Sequence, residues 1–332
     1  RRVSVPSSGD VCDMDRPVHL TNIFDPASTP AHAIVELSWL VLWICAGIFV
    51  IVVALLTYIM IRFRRRRADT DEPPQVYGSN QIELAWTVIP LLTVVVLFMV
   101  TARTIKAVQQ VTPSAGALQA TLVGRQWWWE IRYPALGIVT ANELHVPVSD
   151  RAQPQPTFLK LQSADVAHSF WVPRLAGKTD LIPNRENHMW IEPHTAGTYL
   201  GQCAEYCGTQ HANMLLRVIV HERGDFERWV AAQQQPPARD PSVRAGRDLF
   251  QATSCVNCHT VRETVANGTF GPDLSHLMSR ATLGAGVVEN TPQNLHAWMR
   301  NPQHLKPGNL MPDMQLTSQE LEQIVAYLVT LK

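Results

Sequence analysis

Two long apolar stretches dominate the hydrophobic pattern near the start of the chain. Residues 37–61 contain no charged side chain, and residues 84–102 form a second uncharged stretch that only Pro90 interrupts. About 20 apolar residues cross the hydrocarbon core of a bilayer as a helix, and such helices tolerate proline. The pattern therefore predicts two transmembrane helices, at residues 34–62 and 82–103. A buried helix of a soluble protein is the alternative for the second stretch.

A cluster of arginines separates the two apolar stretches. Five Arg residues lie between positions 62 and 67. Short loops rich in Lys and Arg remain in the cytoplasm, so residues 63–81 are predicted to form a cytoplasmic loop. Both ends of the chain then lie outside, with residues 1–33 as an N-terminal extracytoplasmic segment. The chain is predicted to be a helical hairpin that carries a large outward-facing part.

The pattern of the outward-facing part changes from β-type to helical. Short runs typical of strands lie at residues 120–123, 157–161 and 215–220, separated by turn-forming residues, which predicts a sandwich or barrel. The Gln- and Pro-rich residues 233–237 indicate a linker. Residues 317–328 then combine a Thr-x-x-Glu capping box with apolar positions on one helix face. A small α domain is therefore predicted for residues 243–332.

Charge and cysteine content narrow the possible functions. The 28 basic and 28 acidic side chains cancel, which argues against a globally basic nucleic-acid binder. Four of the six cysteines form two close pairs with a histidine nearby, a pattern that favours metal or cofactor binding over a disulfide framework. Cys45 lies in the first apolar stretch, where we expect it to be a small apolar residue.

The first cysteine pair lies among soft metal ligands. The candidate ligands are His168, Cys203, Cys207, His211 and Met214. Sulfur and imidazole together favour copper, zinc or an iron–sulfur cluster, and zinc sites are usually closed by Cys and His alone. A mononuclear blue-copper centre needs only one Cys, so the second thiolate suggests a second copper that shares both sulfurs. Zinc, or a Cys203–Cys207 disulfide in an extracytoplasmic domain, is the alternative.

The second cysteine pair forms a C-x-x-C-H motif. Cys255 and Cys258 are suited to thioether bonds with haem vinyl groups, and His259 is suited to bind the iron. Methionine as the sixth ligand raises the potential of such a haem, and Met311 in an Asn-Leu-Met-Pro sequence is the preferred candidate. The competing methionines are Met278, Met299 and Met314. A chance match or a redox-active dithiol is the alternative interpretation of the motif.

The metal motif and its surroundings resemble subunit II of haem–copper cytochrome c oxidase. The similarity covers roughly residues 30–230, and the matching segments are 83–90, 124–129, 163–170, 177–183 and 201–214. The resemblance implies a cupredoxin-like, all-β Greek-key barrel with a dinuclear copper centre, CuA. The implied ligands are His168, Cys203, Cys207, His211, Met214 and the backbone carbonyl of Glu205. Quinol-oxidising relatives share this fold but lack the ligands.

The C-terminal part resembles a class I c-type cytochrome, and its fusion to subunit II resembles the bacterial caa-type oxidases. The expected protein is therefore multidomain. A two-helix transmembrane hairpin precedes a CuA domain at residues 104–235, a linker at 236–242 and an all-α cytochrome c domain at 243–332.

The resemblance also implies a function and a location. A donor such as cytochrome c would reduce haem c, and electrons would pass through CuA to a haem of subunit I, which reduces O2 and pumps protons. The expected partners are subunits I and III, the donor and membrane lipid, in a bacterial inner (plasma) membrane. The alternatives are a tethered electron carrier without an oxidase partner and a nitrous-oxide-reductase-like enzyme, which requires a further copper domain.

Three further residues acquire implied roles from the resemblance. Trp127 would lie at the face where a cytochrome docks, with core packing as the alternative. The Glu205 carboxylate would suit Mg²⁺ or Mn²⁺ at the border with subunit I, unless it is simply a solvated loop acid. Glu83 would lie at the cytoplasmic mouth of a proton pathway. A favourable interaction with the N-terminus of its own helix is the simpler explanation for Glu83.

Overall fold

The chain forms two compact units, residues 1–31 with 113–332 and residues 32–112. The computed structural model describes residues 17–64, 72, 75, 77–109, 113 and 116–332. Cys12 and Arg65–Arg67 of the predicted cytoplasmic loop lie outside the described residues.

Two long apolar helices make up most of the smaller unit. Helix α1 (Thr29–Arg62) starts before the predicted span, and helix α2 (Asn80–Gln109) extends beyond both ends of the second predicted span. Their most apolar windows reach mean hydropathies of 2.9 and 2.4, and none of the side chains in those windows is buried by the rest of the protein. Both helices are therefore long and apolar enough to cross a membrane. Pro90 lies inside α2, as the sequence requires.

Ten strands form most of the next domain, together with a short strand from the N-terminal segment. The three runs predicted to be strands are confirmed, because they lie within β2, β6 and β11. The strands are β1 (Val18–His19), β2 (Gln119–Arg125), β3 (Trp128–Tyr133), β4 (Ile138–Ala141), β5 (Glu143–Pro147), β6 (Thr157–Ser163), β7 (His168–Trp171), β8 (Thr179–Leu181), β9 (Asn187–Ile191), β10 (Gly197–Cys203) and β11 (Leu215–His221).

These strands build two sheets around one apolar core. The first sheet has the order β5-β11-β10-β7-β8, with β1 parallel to β10, and the second has the order β4-β3-β2-β6-β9. The pairs β2–β6 and β5–β11 are parallel, so strands that are distant in sequence lie side by side, as in Greek-key arrangements. Side chains of both sheets share the core, among them Leu122, Trp129, Phe170 and Tyr199. The cupredoxin-like fold class predicted from the sequence is confirmed.

A helix that the sequence pattern did not predict follows the last strand. Helix α3 (Arg223–Gln234) is mostly polar, and its few apolar side chains include Phe226 and Trp229. The Trp229 ring stacks on His145, with 4.2 Å between ring centroids. The helix is therefore stabilised by tertiary packing of two aromatic side chains rather than by a strong periodic pattern.

The C-terminal domain is helical, as predicted. Its elements are α4 (Arg244–Ala252), α5 (Cys255–Cys258), β12 (Thr282–Leu283), β13 (Val288–Glu289), α6 (Pro292–Arg300), α7 (Pro302–Leu305) and α8 (Ser318–Leu328). The predicted capping box of Thr317 and Glu320 starts α8. Helices α4 and α8 cross so closely that a Cβ at Gly246 would lie 1.9 Å from the Gln323 carbonyl oxygen. This crossing gives the domain its core, to which Phe250 and Tyr327 contribute a ring contact.

Candidate functional site

The predicted copper ligands converge at one end of the β domain. His168 begins β7, Cys203 ends β10, and the remaining side chains follow in the loop before β11. Cys203 Sγ and Cys207 Sγ lie 3.8 Å apart, far beyond the roughly 2.05 Å of a disulfide. The described cysteines are all free, so the disulfide interpretation of this pair is wrong.

Each thiol has an imidazole beside it. His168 Nδ1 lies 4.0 Å from Cys203 Sγ, and His211 Nδ1 lies 3.7 Å from Cys207 Sγ. Met214 Sδ is 3.8 Å from Cys207 Sγ. The donor atoms of His168, Cys203 and Cys207 all lie within 4.8 Å of one another. Two sulfurs flanked by two imidazole nitrogens and a thioether are a donor set that suits copper.

Asp165 and Gly124 hold the His168 ring in place. His168 Nε2 lies 2.7 Å from Asp165 Oδ1, which leaves Nδ1 directed at the sulfurs. A Cβ at Gly124 would lie 2.7 Å from the His168 ring, so only glycine allows the ring to pack against β2. Burial opposes protonation of His168, yet its hydrogen bonds to Asp165 and Cys203 raise its pKa overall. A hydrogen-bonded outer carboxylate of this kind orients a ligating imidazole.

The two thiols share one hydrogen bond, and this splits their acidities. The contact between Cys203 Sγ and Cys207 Sγ at 3.8 Å lowers the pKa of Cys203 to about 3 and raises the pKa of Cys207. One thiolate therefore forms readily at neutral pH. The second proton leaves when a metal replaces it, because metal binding requires deprotonated cysteines.

The backbone carbonyl of Glu205 lies beside the cysteines, and its side-chain carboxylate lies at the protein surface. Its backbone carbonyl oxygen lies 3.2 Å from Cys203 Sγ, where it faces the metal ligands. Its carboxylate is half-exposed, with Oε2 3.9 Å from Lys178 Nζ. The carbonyl is thus in place for the ligand role that the resemblance implies, and the carboxylate points to a surface.

The C-x-x-C-H motif lines a mostly apolar cavity of the helical domain that is closed on one side by residues of the β domain, among them Trp127 and Trp128. The cavity measures about 330 Å³, and its walls include Cys255, Cys258, His259 and Met311. His259 Nδ1 lies 2.8 Å from the Pro272 carbonyl oxygen, which fixes the ring and leaves Nε2 available. Burial lowers the pKa of His259, so the imidazole is neutral, as an iron ligand must be. These residues fit a covalently attached haem.

Met311 has a fixed position in the wall of this cavity. Trp298 Nε1 lies 3.3 Å from Met311 Sδ, and the Met311 backbone N–H donates to Asn309 Oδ1. Met299 and Met314 also line the cavity, whereas Met278 packs against the core of the domain outside the cavity wall. The held sulfur of Met311 keeps it the preferred sixth ligand.

Trp127 connects the two candidate sites. Its side chain is only 8 % exposed, and its Nε1 donates to the Cys207 carbonyl oxygen at 3.0 Å. The same residue lines the cavity that contains His259. Trp127 is therefore both a core residue of the β domain and a wall of the haem cavity, so the two roles considered for it are compatible.

The β domain and the helical domain meet in a polar, hydrogen-bonded contact. The Leu215 N–H donates to the Ala285 carbonyl oxygen at 3.0 Å, and the Ala281 N–H donates to Glu143 Oε1 at 2.8 Å. Gln210 Nε2 donates to the Pro307 carbonyl oxygen. Glu143 is 1 % exposed, and burial raises its pKa. The candidate copper and haem sites therefore lie on either side of a defined interface.

Two residues of this region carried no assigned role from the sequence. Asp165 stood inside a matching segment, but its position beside His168 follows from the turn between β6 and β7. Lys306 is an ordinary residue in a loop sequence, yet its ammonium is buried at the interface. No sequence signal marks a lysine for burial, because such burial depends on acceptors from distant segments.

Glu83 lies in the first turn of α2, in the smaller unit. Its carboxylate would be only 2.7 Å from a Cβ at Gly78. An acid in this position interacts favourably with the helix N-terminus, which agrees with the simpler explanation of Glu83.

The chain matches three known families along most of its length. Residues 17–105 match "Cytochrome C oxidase subunit II, transmembrane domain", residues 153–221 match "Cytochrome C oxidase subunit II, periplasmic domain", and residues 243–332 match "Cytochrome c". The periplasmic-domain family implies CuA copper, and the cytochrome c family implies haem c. The match to a transmembrane domain also favours the membrane-spanning interpretation of both apolar helices.

Curated relatives are similar to this chain over most of its length. The chain is 34 % identical to cytochrome c oxidase subunit 2 of Alkalihalophilus pseudofirmus, over 93 % of this chain and 90 % of the relative. It is 32 % identical to the subunit 2 of Bacillus sp. strain PS3, over 81 % of this chain and 80 % of the relative.

A solved structure is also similar in sequence. The periplasmic domain of subunit II of cytochrome oxidase from Bradyrhizobium japonicum is 30 % identical, with a TM-score of 0.34, and covers 37 % of this chain and 97 % of that one. The family assignment rests on the sequence matches, which also disfavour a carrier without an oxidase partner. The chain thus belongs to the cytochrome c oxidase subunit II family, as a membrane-anchored subunit of a haem–copper oxidase with a periplasmic copper domain and a fused cytochrome c domain.

Proposed function

We propose that this chain accepts electrons from a reduced donor at haem c and delivers them through CuA to a haem of subunit I, where O2 is reduced to water with proton pumping. The observation that carries this proposal is the position of Trp127. Its indole N–H binds the carbonyl of Cys207 at 3.0 Å, and its side chain lines the cavity beside His259. One side chain thus contacts both candidate cofactor sites.

The copper-binding role falls to six groups. A pair of coppers held by both thiolates would share an added electron, so the surroundings of each metal would change little on reduction. The protein contributes a frame in which the ligands hardly move: His168 and Cys203 belong to paired strands, and Asp165 holds the imidazole. The ligands are the side chains of His168, Cys203, Cys207, His211 and Met214, with the backbone carbonyl of Glu205.

The haem-binding role falls to four residues of the helical domain. Cys255 and Cys258 would hold the haem through thioether bonds, and His259, which would bind its iron, is oriented by the Pro272 carbonyl. Met311, whose sulfur the Trp298 N–H contacts at 3.3 Å, would supply the sixth ligand. Methionine–histidine ligation raises the haem potential, which suits a centre that receives electrons from a respiratory donor.

The test of this proposal is rapid electron transfer within the isolated full chain. Flash photoreduction of the haem, followed optically at both centres, should show the haem reoxidised as copper is reduced. Metal analysis should find two coppers and one haem per chain, with an EPR spectrum in which one unpaired electron couples to both coppers. A chain that binds both cofactors but transfers no electron between them would contradict the proposal.

Glu205 has a second proposed role at the border with subunit I. Its half-exposed carboxylate is a hard oxygen ligand that suits Mg²⁺ or Mn²⁺, and its backbone carbonyl faces the copper cluster. The ion pair with Lys178 at 3.9 Å is loose, so the carboxylate is available. Glu205→Gln should weaken Mn²⁺ binding in the assembled oxidase without changing copper content. Unchanged Mn²⁺ affinity in that variant would restrict Glu205 to its carbonyl role.

Glu83 is proposed to serve the cytoplasmic side of proton uptake. The sequence places it next to the predicted cytoplasmic loop, and ionisable groups near a span boundary are often functional. Glu83→Gln should slow steady-state O2 reduction in the assembled complex while haem c and CuA are reduced at the normal rate. Full turnover in the variant would leave Glu83 only its favourable position at the N-terminus of α2.

The proposed location is the bacterial inner membrane, with both cofactor domains outside the cytoplasm. The proposed partners are subunits I and III, an external electron donor such as cytochrome c, and membrane lipid. Purification in detergent tests the assembly, because subunits I and III with their haem and copper should copurify with this chain.

A further inference from the structure

A buried lysine joins the two cofactor domains. Lys306 follows helix α7 in the haem domain and is 2 % exposed. Its Nζ donates to the backbone carbonyls of Trp127, Asn213 and Gly284, at 2.8, 2.8 and 2.7 Å. A lysine ammonium has three N–H donors, so these three carbonyls use all of them. Two of the carbonyls belong to the copper domain and one belongs to the haem domain.

The two carbonyls of the copper domain lie beside copper ligands. Asn213 ends a short 3₁₀ turn that begins at His211, and Met214 follows it directly. Trp127 contacts the carbonyl of Cys207 through its indole N–H. The ammonium of Lys306 is therefore anchored to backbone carbonyls beside the copper-ligand loop.

The backbone of Lys306 is tied to the proposed haem ligand. The Lys306 carbonyl oxygen accepts a hydrogen bond from Asn309 Nδ2 at 2.7 Å. Asn309 Oδ1 in turn accepts the backbone N–H of Met311 at 2.9 Å. Lys306 thus stands at the base of the loop that presents Met311, while its side chain ends at the copper-ligand loop.

The environment of the ammonium couples its burial to docking of the domains. Burial lowers the pKa of Lys306 to about 7, which reflects the loss of water around the charge. Among the described residues, carbonyl oxygens supply the hydrogen bonds that replace this water. If the domains separated, the ammonium would lose two of its three acceptors, and those carbonyls would lose their donor. The contact is therefore satisfied only in the docked arrangement.

We propose that Lys306 is a positioning residue that locks the haem domain onto the copper domain and fixes the Met311 loop relative to the copper-ligand loop. This proposal rests on the proposed function, since the fixed arrangement matters when electrons pass between the two sites. A permanently docked haem domain makes this transfer independent of diffusion, unlike transfer to a domain that swings on its linker.

The test compares Lys306→Met with Lys160→Met in the full chain with both cofactors bound. Lys160 is a matched control because its half-exposed side chain on β6 forms a loose surface pair with Glu186, with 3.5 Å between Lys160 Nζ and Glu186 Oε1. Lys306→Gln, which keeps an amide donor on a shorter side chain, is a second variant. The measured quantities are the haem-to-copper transfer rate after a flash, its dependence on solvent viscosity, the copper EPR spectrum and the methionine–haem absorption band.

We expect transfer in the wild type and in Lys160→Met to be fast and independent of viscosity. In Lys306→Met the rate should fall on the order of tenfold or more and become viscosity-dependent, because carbonyls without a donor weaken docking. Lys306→Gln should lie between the two, with both spectra retained in every variant. A purely structural role would lower thermal stability without making transfer depend on viscosity.

Three results would overturn the proposal. The first is wild-type, viscosity-independent transfer in Lys306→Met, and the second is loss of either cofactor spectrum in both Lys306 variants. The third is rapid hydrogen exchange, in the wild type, of the Leu215 and Ala281 amides, which donate across the interface. Failure of the proposed function is distinguishable from these, because the wild type itself would then show no haem-to-copper transfer.

Discussion

The copper site and the haem site use similar side chains, two cysteines with histidine and methionine, but the protein builds them in opposite ways. The copper ligands extend from strand ends and one loop, and their donor atoms already lie about 4 Å or less from a neighbouring donor. The haem-binding residues come from one short helix, α5, and from loops around a cavity of about 330 Å³. The copper site is a compact cluster of donor atoms, whereas the haem site is a cavity lined by the residues that would bind the haem.

This difference reflects what each cofactor needs from the chain. A metal pair occupies little volume, so the apolar core of the β domain closes without it, and the sheets fix the ligands. A haem is a large apolar disc, so the helical domain arranges its side chains around the space that the disc fills. We expect the copper domain to fold independently of its cofactor and the helical domain to depend on its own.

The largest effect should follow from replacing both haem-attachment cysteines, Cys255→Ser with Cys258→Ser. Without haem, the apolar side chains around the cavity of about 330 Å³ lose their packing partner, and empty apolar space is destabilising; a loss of several kcal/mol is comparable with the whole stability of a small domain. Calorimetry should show that the unfolding transition of the helical domain is lost, while the copper EPR spectrum persists. If the helical domain without haem unfolded at the wild-type temperature, its folding would not depend on the cofactor, contrary to our expectation.

Removal of the Cys203 thiol should affect only the copper site. Cys203→Ser eliminates a sulfur that lies between His168 and Cys207, so the dinuclear copper centre should be converted or lost. The haem should remain attached, and both domains should stay folded. Metal analysis and EPR check the copper, and the haem absorption spectrum is the internal control. An unchanged copper count with unchanged EPR would contradict the dinuclear assignment.

Trp127→Phe should slow communication between the sites without destroying either of them. Phenylalanine fills most of the same space but lacks the N–H that binds the Cys207 carbonyl. We expect slower haem-to-copper transfer after a flash, with both spectra intact. Trp190→Phe is a matched control, because Trp190 is equally buried but lies on β9. Equal transfer rates in the two variants would leave Trp127 a packing role only.

The smallest effect concerns the pair His168–Asp165 in the copper-free protein. Burial disfavours both charges, but their hydrogen bond raises the pKa of His168 above 6.5 and, with two backbone N–H donors, lowers the pKa of Asp165 below 3.8. The contribution of His168 to the free energy of unfolding is fully present below pH 6.5 and is lost as the pH rises through the raised pKa of His168. The stability from Asp165 is present above pH 3.8 and is lost as the pH falls through its lowered pKa.

Asp165→Asn should therefore lower the free energy of unfolding by about 1 kcal/mol between these two pH values, and less on either side. Urea unfolding of the chelator-treated full chain as a function of pH measures this difference. If the difference in free energy of unfolding between the wild type and Asp165→Asn grew steadily towards alkaline pH, the pair would not stabilise the copper-free site through its charges.

Features that depend on local pattern and on ligand chemistry could be predicted from the sequence alone. Uncharged stretches predicted both apolar helices, β-type runs predicted β2, β6 and β11, and Thr317 with Glu320 predicted the start of α8. Cysteine, histidine and methionine spacing indicated both cofactors, because metal and haem binding restrict the side chains that can serve. These signals are local, so they can be recognised without knowledge of the fold.

Contacts between segments that are distant in sequence depend on the tertiary structure and could not be predicted from local pattern. Helix α3 is stabilised by the stacking of Trp229 on His145. The His168 ring is oriented by its hydrogen bond to Asp165, and the absence of a side chain at Gly124 leaves room for it. The interface is fixed by the Lys306 ammonium, whose three carbonyl acceptors come from three separate parts of the chain. Backbone carbonyls are present at every residue, so the sequence does not distinguish those that will face a buried charge; only the folded chain brings them together.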